Sequence, residues 1–371
     1  MMQRLYVHNF RCFENFEFKA GGMSSALLIG KNGTGKSTVA ATLRLFQSIG
    51  RGVNRAGQLV TPKDFSCGRS AVPMRFEVEV LLGADLYFYS LALELPEKFK
   101  ELRVLDERLE VAGKTIYSRS QARVTLPKNS SERGEAQFLV DWHLIALPVI
   151  QEQSATDPLR IFKSWLSKMV ILAPIPSHIS GNSSEETLQP ATDGSNLGDW
   201  LSGLLSQYPA AYSTINDYLR TVMPDMQELR NEPVGKDAKR MLVHFASETT
   251  QFPLSFDDLS DGEKCFFLCA VILASNKAYG PLFCFWDEPD NFLSMSEVGS
   301  FVLALRKAFK KNSGQIIVTS HNEEAIRKFS SDNTWVLDRK NHLEPTLIRL
   351  LSELPKRADL IQALILGDIT L

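Results

Sequence analysis

The sequence lacks a long hydrophobic run, and it has few cysteines. No stretch approaches the roughly 18 consecutive apolar residues that a membrane-spanning helix needs. Residues 1–5 lead into an alternating pattern and not into an apolar run, so we expect no signal peptide. The five cysteines are an odd number without a Cys-x-x-Cys pair, which is typical of reduced thiols in a cytosolic core. We therefore expect a cytoplasmic protein with no membrane partner.

The chain also lacks an excess of charge of either sign. Lys and Arg number 41 and Asp and Glu number 43, which leaves a net charge of −2. Because there is no overall basic excess, any contact with DNA must come from a local patch. Two groups of basic residues are considered for it: Arg119, Arg123 and Lys128, and Arg306, Lys307, Lys310 and Lys311. A solvated helix face explains the second group equally well, since its spacing is helical.

The first third of the sequence alternates between apolar and polar residues. Residues 4–19 predict two strands around a turn, residues 26–29 predict a buried strand that ends at Gly30, and residues 38–49 have helical spacing. Residues 72–123 alternate again, with turns at 83–85 and 112–114. This segment therefore predicts an antiparallel sheet.

The rest of the sequence changes character twice. Residues 124–255 predict a mixed, mostly helical segment, with helices at 158–168, 197–208 and 210–222 and strands at 169–173 and 240–245. From residue 258 onward helices alternate with apolar strands, the strands being predicted at 281–286, 315–319 and 334–337. That alternation is typical of a parallel sheet covered by helices.

A glycine-rich motif follows the first buried strand. It fits the pattern G-x-x-x-x-G-K-[ST], in which backbone N–H groups surround phosphate oxygens at the start of a helix. We expect Lys36 to reach the β- and γ-phosphates of a nucleotide and Ser37 to ligate Mg²⁺. The predicted ATP-binding residues are Gly30, Lys31, Asn32, Gly33, Thr34, Gly35, Lys36, Ser37 and Thr38.

Two adjacent carboxylates end the apolar strand at 281–286. Buried strands rarely end in such a pair unless a cation or a proton transfer requires it. Successive side chains of a strand diverge, so one acid can face Mg²⁺ and its neighbour the attacking water. We assign Asp287 to the Mg²⁺ shell and Glu288 to the general base.

Two further sites accompany the carboxylates. Ser260 and Glu263 form the S-x-x-E pattern of a helix-capping box, and the same helix start, with Gly262, suits a γ-phosphate held by another subunit. His321 directly follows the strand at 315–319, where it can sense the γ-phosphate. We therefore predict Glu288, His321 and Lys36 as catalytic residues. Ser260, Gly262 and Glu263 are predicted to contact the nucleotide of a second subunit.

In this order the motifs resemble the ATPase head of ABC-type proteins. The glycine-rich motif at residues 30–37 is called the P-loop below, and together with residues 7–13 it resembles the RecF/SMC branch. More closely, the chain resembles small RecF-like or OLD-like AAA family ATPases without coiled-coil arms. The resemblance implies an α/β P-loop NTPase head with a mostly parallel sheet, an antiparallel β lobe and a mixed, mostly helical insertion. The expected parts are residues 1–70 and 256–345 for the head, 71–125 for the lobe, 126–255 for the insertion and 346–371 for a tail.

The resemblance also implies a mechanism and partners. Two heads would form a homodimer around two ATP molecules with Mg²⁺, each P-loop facing the Ser260, Gly262 and Glu263 of the other subunit. Arg11 would lie near the nucleotide or a DNA-facing surface. The expected role is in DNA metabolism or anti-phage defence, with DNA or a nuclease or toxin effector as the candidate partner.

The sequence departs from this family at two positions and leaves two alternatives open. No glutamine matches the Q-loop after residues 169–173, and Gln151 and Gln153 are distant candidates. Leu293 is followed by Ser294 where the family often has Asp. The alternatives are a scaffold or sensor that holds ATP with little turnover, and a transporter ATPase subunit.

Overall fold

The computed structural model describes residues 1–127 and 135–354. Lys128 and the part of the expected tail from residue 355 lie outside them. The helices are α1 (Lys36–Gly50), α2 (Ala56–Leu59), α3 (Ala146–Val149), α4 (Pro158–Ser167), α5 (Leu197–Gln207), α6 (Ala211–Val222), α7 (Asp261–Tyr279), α8 (Met295–Lys311) and α9 (Glu323–Arg327). The strands are β1 (Met2–His8), β2 (Phe16–Lys19), β3 (Ser25–Ile29), β4 (Met74–Leu82), β5 (Asp85–Glu94), β6 (Arg103–Val111), β7 (Lys114–Ser120), β8 (Arg123–Pro127), β9 (Glu135–Leu139), β10 (Val170–Leu172), β11 (Asn182–Ser183), β12 (Met226–Val234), β13 (Ala238–Ala246), β14 (Gln251–Ser255), β15 (Phe283–Trp286), β16 (Gln315–Thr319), β17 (Thr334–Asp338) and β18 (Leu347–Leu350).

The chain divides into two compact units. Unit 1 comprises Met1–Met23, Ile29–Met169 and the chain from Trp335 onward. Unit 2 comprises Ser24–Leu28 and Val170–Thr334. The expected boundaries at residues 70, 125, 255 and 345 stay predictions.

Unit 1 is built on an eight-stranded antiparallel sheet in the order β2-β1-β4-β5-β6-β7-β8-β9. The predicted meander is confirmed, and the amino-terminal hairpin joins it because β1 pairs with β4, with Val7 opposite Phe76. Both residues are fully buried, as the alternation predicts. Helices α1 and α4 pack on this sheet, where the rings of Phe46 and Phe162 contact Tyr89 at centroid distances of 6.0 and 5.5 Å.

Unit 2 contains the predicted parallel sheet, with the neighbouring strands β10-β15-β16-β3. Every residue of these strands is buried, which matches their nearly continuous apolar sequences. Helix α7 is buried from Lys264 to Asn276, and Phe301 of α8 packs edge-on against Trp286 of β15 at 5.5 Å. The helix–strand alternation inferred from the sequence is confirmed.

The expected description of residues 126–255 as mostly helical underestimates their strand content. The segment holds α5 and α6, but also the meander β12-β13-β14, in which only the part at 240–245 was predicted. Strand β12 was missed because only Met226 and Leu229 are buried in it, so it has no period-two pattern. The segment is therefore a mixture of helices and strands.

One of the basic residues considered for DNA contact is part of the core. Arg119 is only 3% exposed. Its guanidinium donates hydrogen bonds to the carbonyls of Gln121, Leu144 and Asp141 and lies 3.8 Å from the buried carboxylate of Glu107. The prediction for Arg119 was wrong, because its guanidinium is buried and bonded to carbonyl groups of the folded chain.

Candidate functional site

The P-loop of unit 1 needs glycine at positions where its backbone is tightly enclosed. At Gly30 a Cβ atom would lie 2.4 Å from the carbonyl oxygen of Leu337. Gly35 has φ +103°, and a Cβ there would lie 2.7 Å from the ring of Phe13 and 2.8 Å from Cys12 Sγ. A side chain at either position would therefore displace the loop from its conformation.

The charged and hydroxyl groups of this loop have distinct surroundings. The Lys36 side chain crosses the loop, and its Nζ donates a 2.8 Å hydrogen bond to the Gly30 carbonyl. Thr34 Oγ1 donates to the Lys31 carbonyl at 2.8 Å, and Thr38 Oγ1 lies 3.5 Å from Cys12 Sγ. The residues of the loop that remain exposed are Lys31, Asn32, Gly33 and Ser37.

Helix α1 begins directly behind this loop and adds to its affinity for anions. Its N-cap is Gly35, which has no side chain to accept from the first-turn N–H groups. The positive end of the helix and the Lys36 ammonium therefore favour a phosphate at the loop. All nine predicted ATP-binding residues lie in this one segment of unit 1.

In unit 2 the two predicted carboxylates lie at the carboxyl edge of the parallel sheet. The Asp287 N–H extends the sheet by donating to the Leu172 carbonyl at 2.7 Å. Glu288 then adopts φ +48°, a left-handed conformation that is uncommon for a residue with a side chain. Such strain often occurs at functional sites, where surrounding contacts hold the residue in place.

The chain after β16 supplies partners for both carboxylates. Thr319 Oγ1 donates a 2.6 Å hydrogen bond to Asp287 Oδ1 and accepts one from the Glu288 N–H at 2.9 Å. His321 Nε2 lies 3.4 Å from Glu288 Oε1. The structure thus brings together three of the predicted residues, Asp287, Glu288 and His321.

Further polar residues in these two loops were not assigned from the sequence. Asn291 Nδ2 donates a 2.7 Å hydrogen bond to Glu288 Oε2, so the Glu288 carboxylate has a neighbour on each oxygen. Ser320 Oγ donates to Asp290 Oδ2 at 2.7 Å. Asp290 is buried, and this burial raises the pKa of its carboxyl group. The only sequence signal for these residues is that they adjoin Glu288 and His321.

The third predicted group starts helix α7. Ser260 accepts from the Glu263 N–H, and both its own N–H and its hydroxyl donate to Glu263 Oε2, at 2.8 and 2.7 Å. The capping box predicted from the sequence is therefore confirmed. A Cβ at Gly262 would lie 2.9 Å from the Phe292 carbonyl, so this turn packs against the segment that follows Glu288. A role of Ser260, Gly262 and Glu263 toward a second subunit stays a prediction.

The two departures from the family motifs have structural counterparts. The chain after β10 continues beside Asp287, but Ala173 and Ile175 bond there to the backbone of Thr192 and Asp193, and residues 173–178 contain no glutamine. Ser294 is the N-cap of α8, with its hydroxyl 2.6 Å from Glu297 Oε2. Serine therefore has a local capping function at this position.

Other basic residues named from the sequence differ in accessibility. Arg11 has φ +53° and pairs with Asp64 at 2.9 Å. Arg306 is half-buried, bonded to Ser25 Oγ at 3.1 Å and stacked over the ring of Phe329, so its guanidinium has partners within the chain. The exposed members are Arg123, Lys307, Lys310 and Lys311.

The predicted magnesium ligands are oxygen donors, which Mg²⁺ prefers. Ser37 offers a hydroxyl and Asp287 a carboxylate oriented by Thr319. No cluster of three or more His, Cys, Asp or Glu side chains suited to a metal occurs in residues 1–127 and 135–354. In the same described ranges no helix is long and apolar enough to cross a membrane.

Comparisons with known proteins give a family and a fold. The model of the family described as "AAA domain, putative AbiEii toxin, Type IV TA system" matches residues 25–327. The sequence has no significant match among curated proteins.

Solved structures similar to the chain include heads of SMC proteins. An SMC head bound to the C-winged helix domain of ScpA is 12% identical with a TM-score of 0.56, over 95% of this chain and 98% of that chain. The SMC head domain from Thermotoga maritima is 13% identical with a TM-score of 0.50, over 94% and 98%. An Smc head with an extended coiled coil, bound to the C-terminal domain of ScpA derived from Pyrococcus furiosus, is 12% identical with a TM-score of 0.50, over 95% and 97%. The fold is therefore the α/β fold of a P-loop NTPase head of the ABC type.

Proposed function

Because the chain belongs to the family described as an AAA domain and putative AbiEii toxin of type IV toxin–antitoxin systems, we propose that it is an Mg²⁺-dependent ATPase. In this proposal, ATP binding joins two copies of the head and hydrolysis separates them. The observation that carries the proposal is the arrangement around Glu288 in unit 2. Its carboxylate lies 3.4 Å from His321 and its backbone is held in a left-handed conformation.

The chemistry of hydrolysis follows from these groups. Glu288 accepts a proton from a water molecule, whose oxygen attacks the γ-phosphorus as the bond to the β–γ bridging oxygen breaks. His321, beside the same carboxylate, contacts the γ-phosphate. A base that is already held in one orientation speeds the reaction because it does not have to be oriented toward the water during the reaction.

The P-loop supplies binding and charge neutralisation. Lys36 exchanges its bond to the Gly30 carbonyl for the β- and γ-phosphate oxygens, while backbone N–H groups of residues 33–38 surround the phosphates. Ser37 and Asp287 would hold the Mg²⁺, and the ion would neutralise charge on the phosphates. The same loop carries Gly30, Lys31, Asn32 and Thr34, whose positions suit contact with the triphosphate.

The partners follow from the start of helix α7 and from the family. Ser260 and Glu263 form an N-terminal cap on α7, and we propose that this cap, with Gly262, contacts the γ-phosphate bound by the second copy. The toxin–antitoxin description of the family supports a role in anti-phage defence, with a nuclease or toxin effector or DNA as partner. Lys307, Lys310 and Lys311 are the exposed residues of α8 that suit a DNA backbone.

The decisive experiment compares Glu288→Gln and Lys36→Ala with Glu248→Gln, an exposed control that makes the same chemical change away from the site. We expect Glu288→Gln to bind ATP as the wild type does and to lose turnover about 100-fold or more, since it lacks the base. Its mass in light scattering should double only with ATP and Mg²⁺. Lys36→Ala should bind ATP at least about 10-fold more weakly, because a charge-assisted contact is lost.

Four results would contradict parts of the proposal. Wild-type turnover in Glu288→Gln removes this residue as the base. Normal nucleotide affinity in Lys36→Ala removes the P-loop assignment. A wild-type chain that binds ATP without hydrolysing it would identify a scaffold or sensor instead of an enzyme, and a mass that ignores ATP would remove the roles of Ser260, Gly262 and Glu263 between subunits.

A further inference from the structure

We propose that Thr319 is a positioning residue of the ATPase, whose single buried hydroxyl holds the backbone of Glu288 and the carboxylate of Asp287 in their working orientations. This inference rests on the proposed role of Glu288 as the base. Thr319 does not itself contact the reacting atoms in this proposal. It acts through the two residues that do.

The hydroxyl of Thr319 is buried and makes two hydrogen bonds. Thr319 is the last residue of β16, and none of its surface is exposed. Its Oγ1 donates at 2.6 Å to Asp287 Oδ1 and accepts at 2.9 Å from the Glu288 N–H. A hydroxyl is the smallest group that can donate and accept at once, so serine is the closest replacement and valine, of the same shape, makes neither bond.

The register of the parallel sheet places the hydroxyl at this point. Trp286 of β15 lies opposite Val318 of β16, so the next residue of each strand brings Thr319 beside Asp287. The Glu288 N–H would otherwise lack an acceptor next to a buried strand end, and a buried amide without a partner is costly. Thr319 therefore connects two loops that are about 30 residues apart in sequence.

The hydrogen bond from the Glu288 N–H to Thr319 also holds Glu288 in its strained backbone conformation. A left-handed conformation is unfavourable for a residue with a Cβ atom, and Glu288 has φ +48°. At present the Glu288 carboxylate points toward His321. When the bond to Thr319 is lost, the Glu288 backbone can relax toward an ordinary conformation, and its carboxylate then turns away from His321. A displacement of about 1 Å is enough to slow a reaction about 100-fold.

This placement predicts an effect on turnover and not on nucleotide binding. The Gly30 carbonyl that accepts from Lys36 Nζ belongs to unit 1, as do the groups that enclose Gly30 and Gly35, and Thr319 is not one of them. The loss of the hydroxyl therefore leaves the dissociation constant of ATP, measured without Mg²⁺, unchanged within about threefold, because Asp287 would act on the nucleotide only through Mg²⁺. The same loss lowers kcat about 10–100-fold, as expected when a residue that orients catalytic groups is removed.

The test compares Thr319→Val, which removes the hydroxyl but keeps the shape, with Thr319→Ser, which keeps the hydroxyl. The matched control is Thr346→Val, because Thr346 is also buried but its hydroxyl has no hydrogen-bond partner among the described residues. We expect Thr319→Val to lose turnover as stated, and Thr319→Ser and Thr346→Val to stay within about threefold of the wild type. If Thr319→Val does not fold, Thr319→Ala and Thr319→Ser, which differ only in the hydroxyl, make the same comparison.

A second measurement is independent of turnover. Without nucleotide, deuterium exchange at the backbone of residues 287–291 should be about 2–10-fold faster in Thr319→Val, and unchanged in Thr319→Ser, because the Glu288 amide loses its acceptor.

Three results overturn the inference: turnover in Thr319→Val within threefold of the wild type, turnover in Thr319→Ser as slow as in Thr319→Val, or unchanged exchange in Thr319→Val. Glu288→Gln, measured in parallel, separates the two proposals. If Glu288→Gln retains turnover, the proposed function fails. If Glu288→Gln is inactive while Thr319→Val retains turnover, only the inference about Thr319 fails.

Discussion

Two glycines of the P-loop both have a positive φ but have different surroundings, and this difference predicts how each tolerates alanine. Gly33 has φ +80° and Gly35 φ +103°. A Cβ at Gly33 would meet nothing within 4 Å, whereas at Gly35 it would lie 2.7 Å from Phe13 and 2.8 Å from Cys12. Gly33→Ala therefore introduces backbone strain alone, and Gly35→Ala adds a steric clash.

The expected magnitudes differ accordingly. A left-handed conformation costs a residue with a Cβ about 1–2 kcal/mol, and overpacking a buried site costs typically about 1–3 kcal/mol. Gly33→Ala should lower the free energy of unfolding by about 1–2 kcal/mol and Gly35→Ala by about 2–5 kcal/mol. The ring of Phe13 is stacked on Phe16 at 3.8 Å and both are buried, so it has little room to move away.

Urea denaturation followed by circular dichroism measures both variants against the wild type. The control is Gly52→Ala, where φ is +97° and no atom lies within 4 Å of the added Cβ, so it should behave as Gly33→Ala does. Equal shifts of the midpoint for Gly33→Ala and Gly35→Ala, at unchanged slope, would refute the reasoning. Such a result would mean that the contacts of Phe13 and Cys12 do not define the conformation of the P-loop.

Two further predictions follow from other polar contacts. Asn291→Ala should lower kcat about 10-fold in an ATPase assay. Asn291→Asp should lower it at least as far, because it replaces the donor to Glu288 by a like charge. The control is the same exchange at Asn341, which donates to an exposed glutamate and should leave kcat unchanged. Arg119→Met should lower the free energy of unfolding, measured by urea denaturation, by about 3–5 kcal/mol, because it leaves the buried Glu107 carboxylate without its counter-charge. The control Arg123→Ala, at an exposed position, should change this free energy by no more than about 0.5 kcal/mol. Equal stability of the two arginine variants, or full activity of Asn291→Asp, would contradict these assignments.

Much of the fold and part of the candidate site could be predicted from local patterns. The alternation of residues 74–80 indicated a strand with one buried face, and the apolar run that ends at Trp286 indicated a strand buried on both faces. The P-loop was recognisable because glycine, lysine and serine at fixed spacing carry its whole geometry within one turn and one helix start. Asp287 and Glu288 stood out because two acids follow an apolar strand.

The contacts of the site were decided by the tertiary structure. Thr319, Ser320 and Asn291 are ordinary polar residues in the sequence, and their partners depend on which strands pair and in which register. The left-handed backbone of Glu288 has no local signal, since glutamate does not favour it.

The basic residues show the same division. Arg119 and Arg123 are alike by sequence, four residues apart and both in strands, yet Arg119 is buried among backbone carbonyls and Arg123 is exposed. Local sequence specifies the period of an element and hence which side chains share a face. Whether a long polar side chain on a face finds partners depends on segments distant in sequence, such as residues 141–144 for Arg119, which only the folded chain brings into contact.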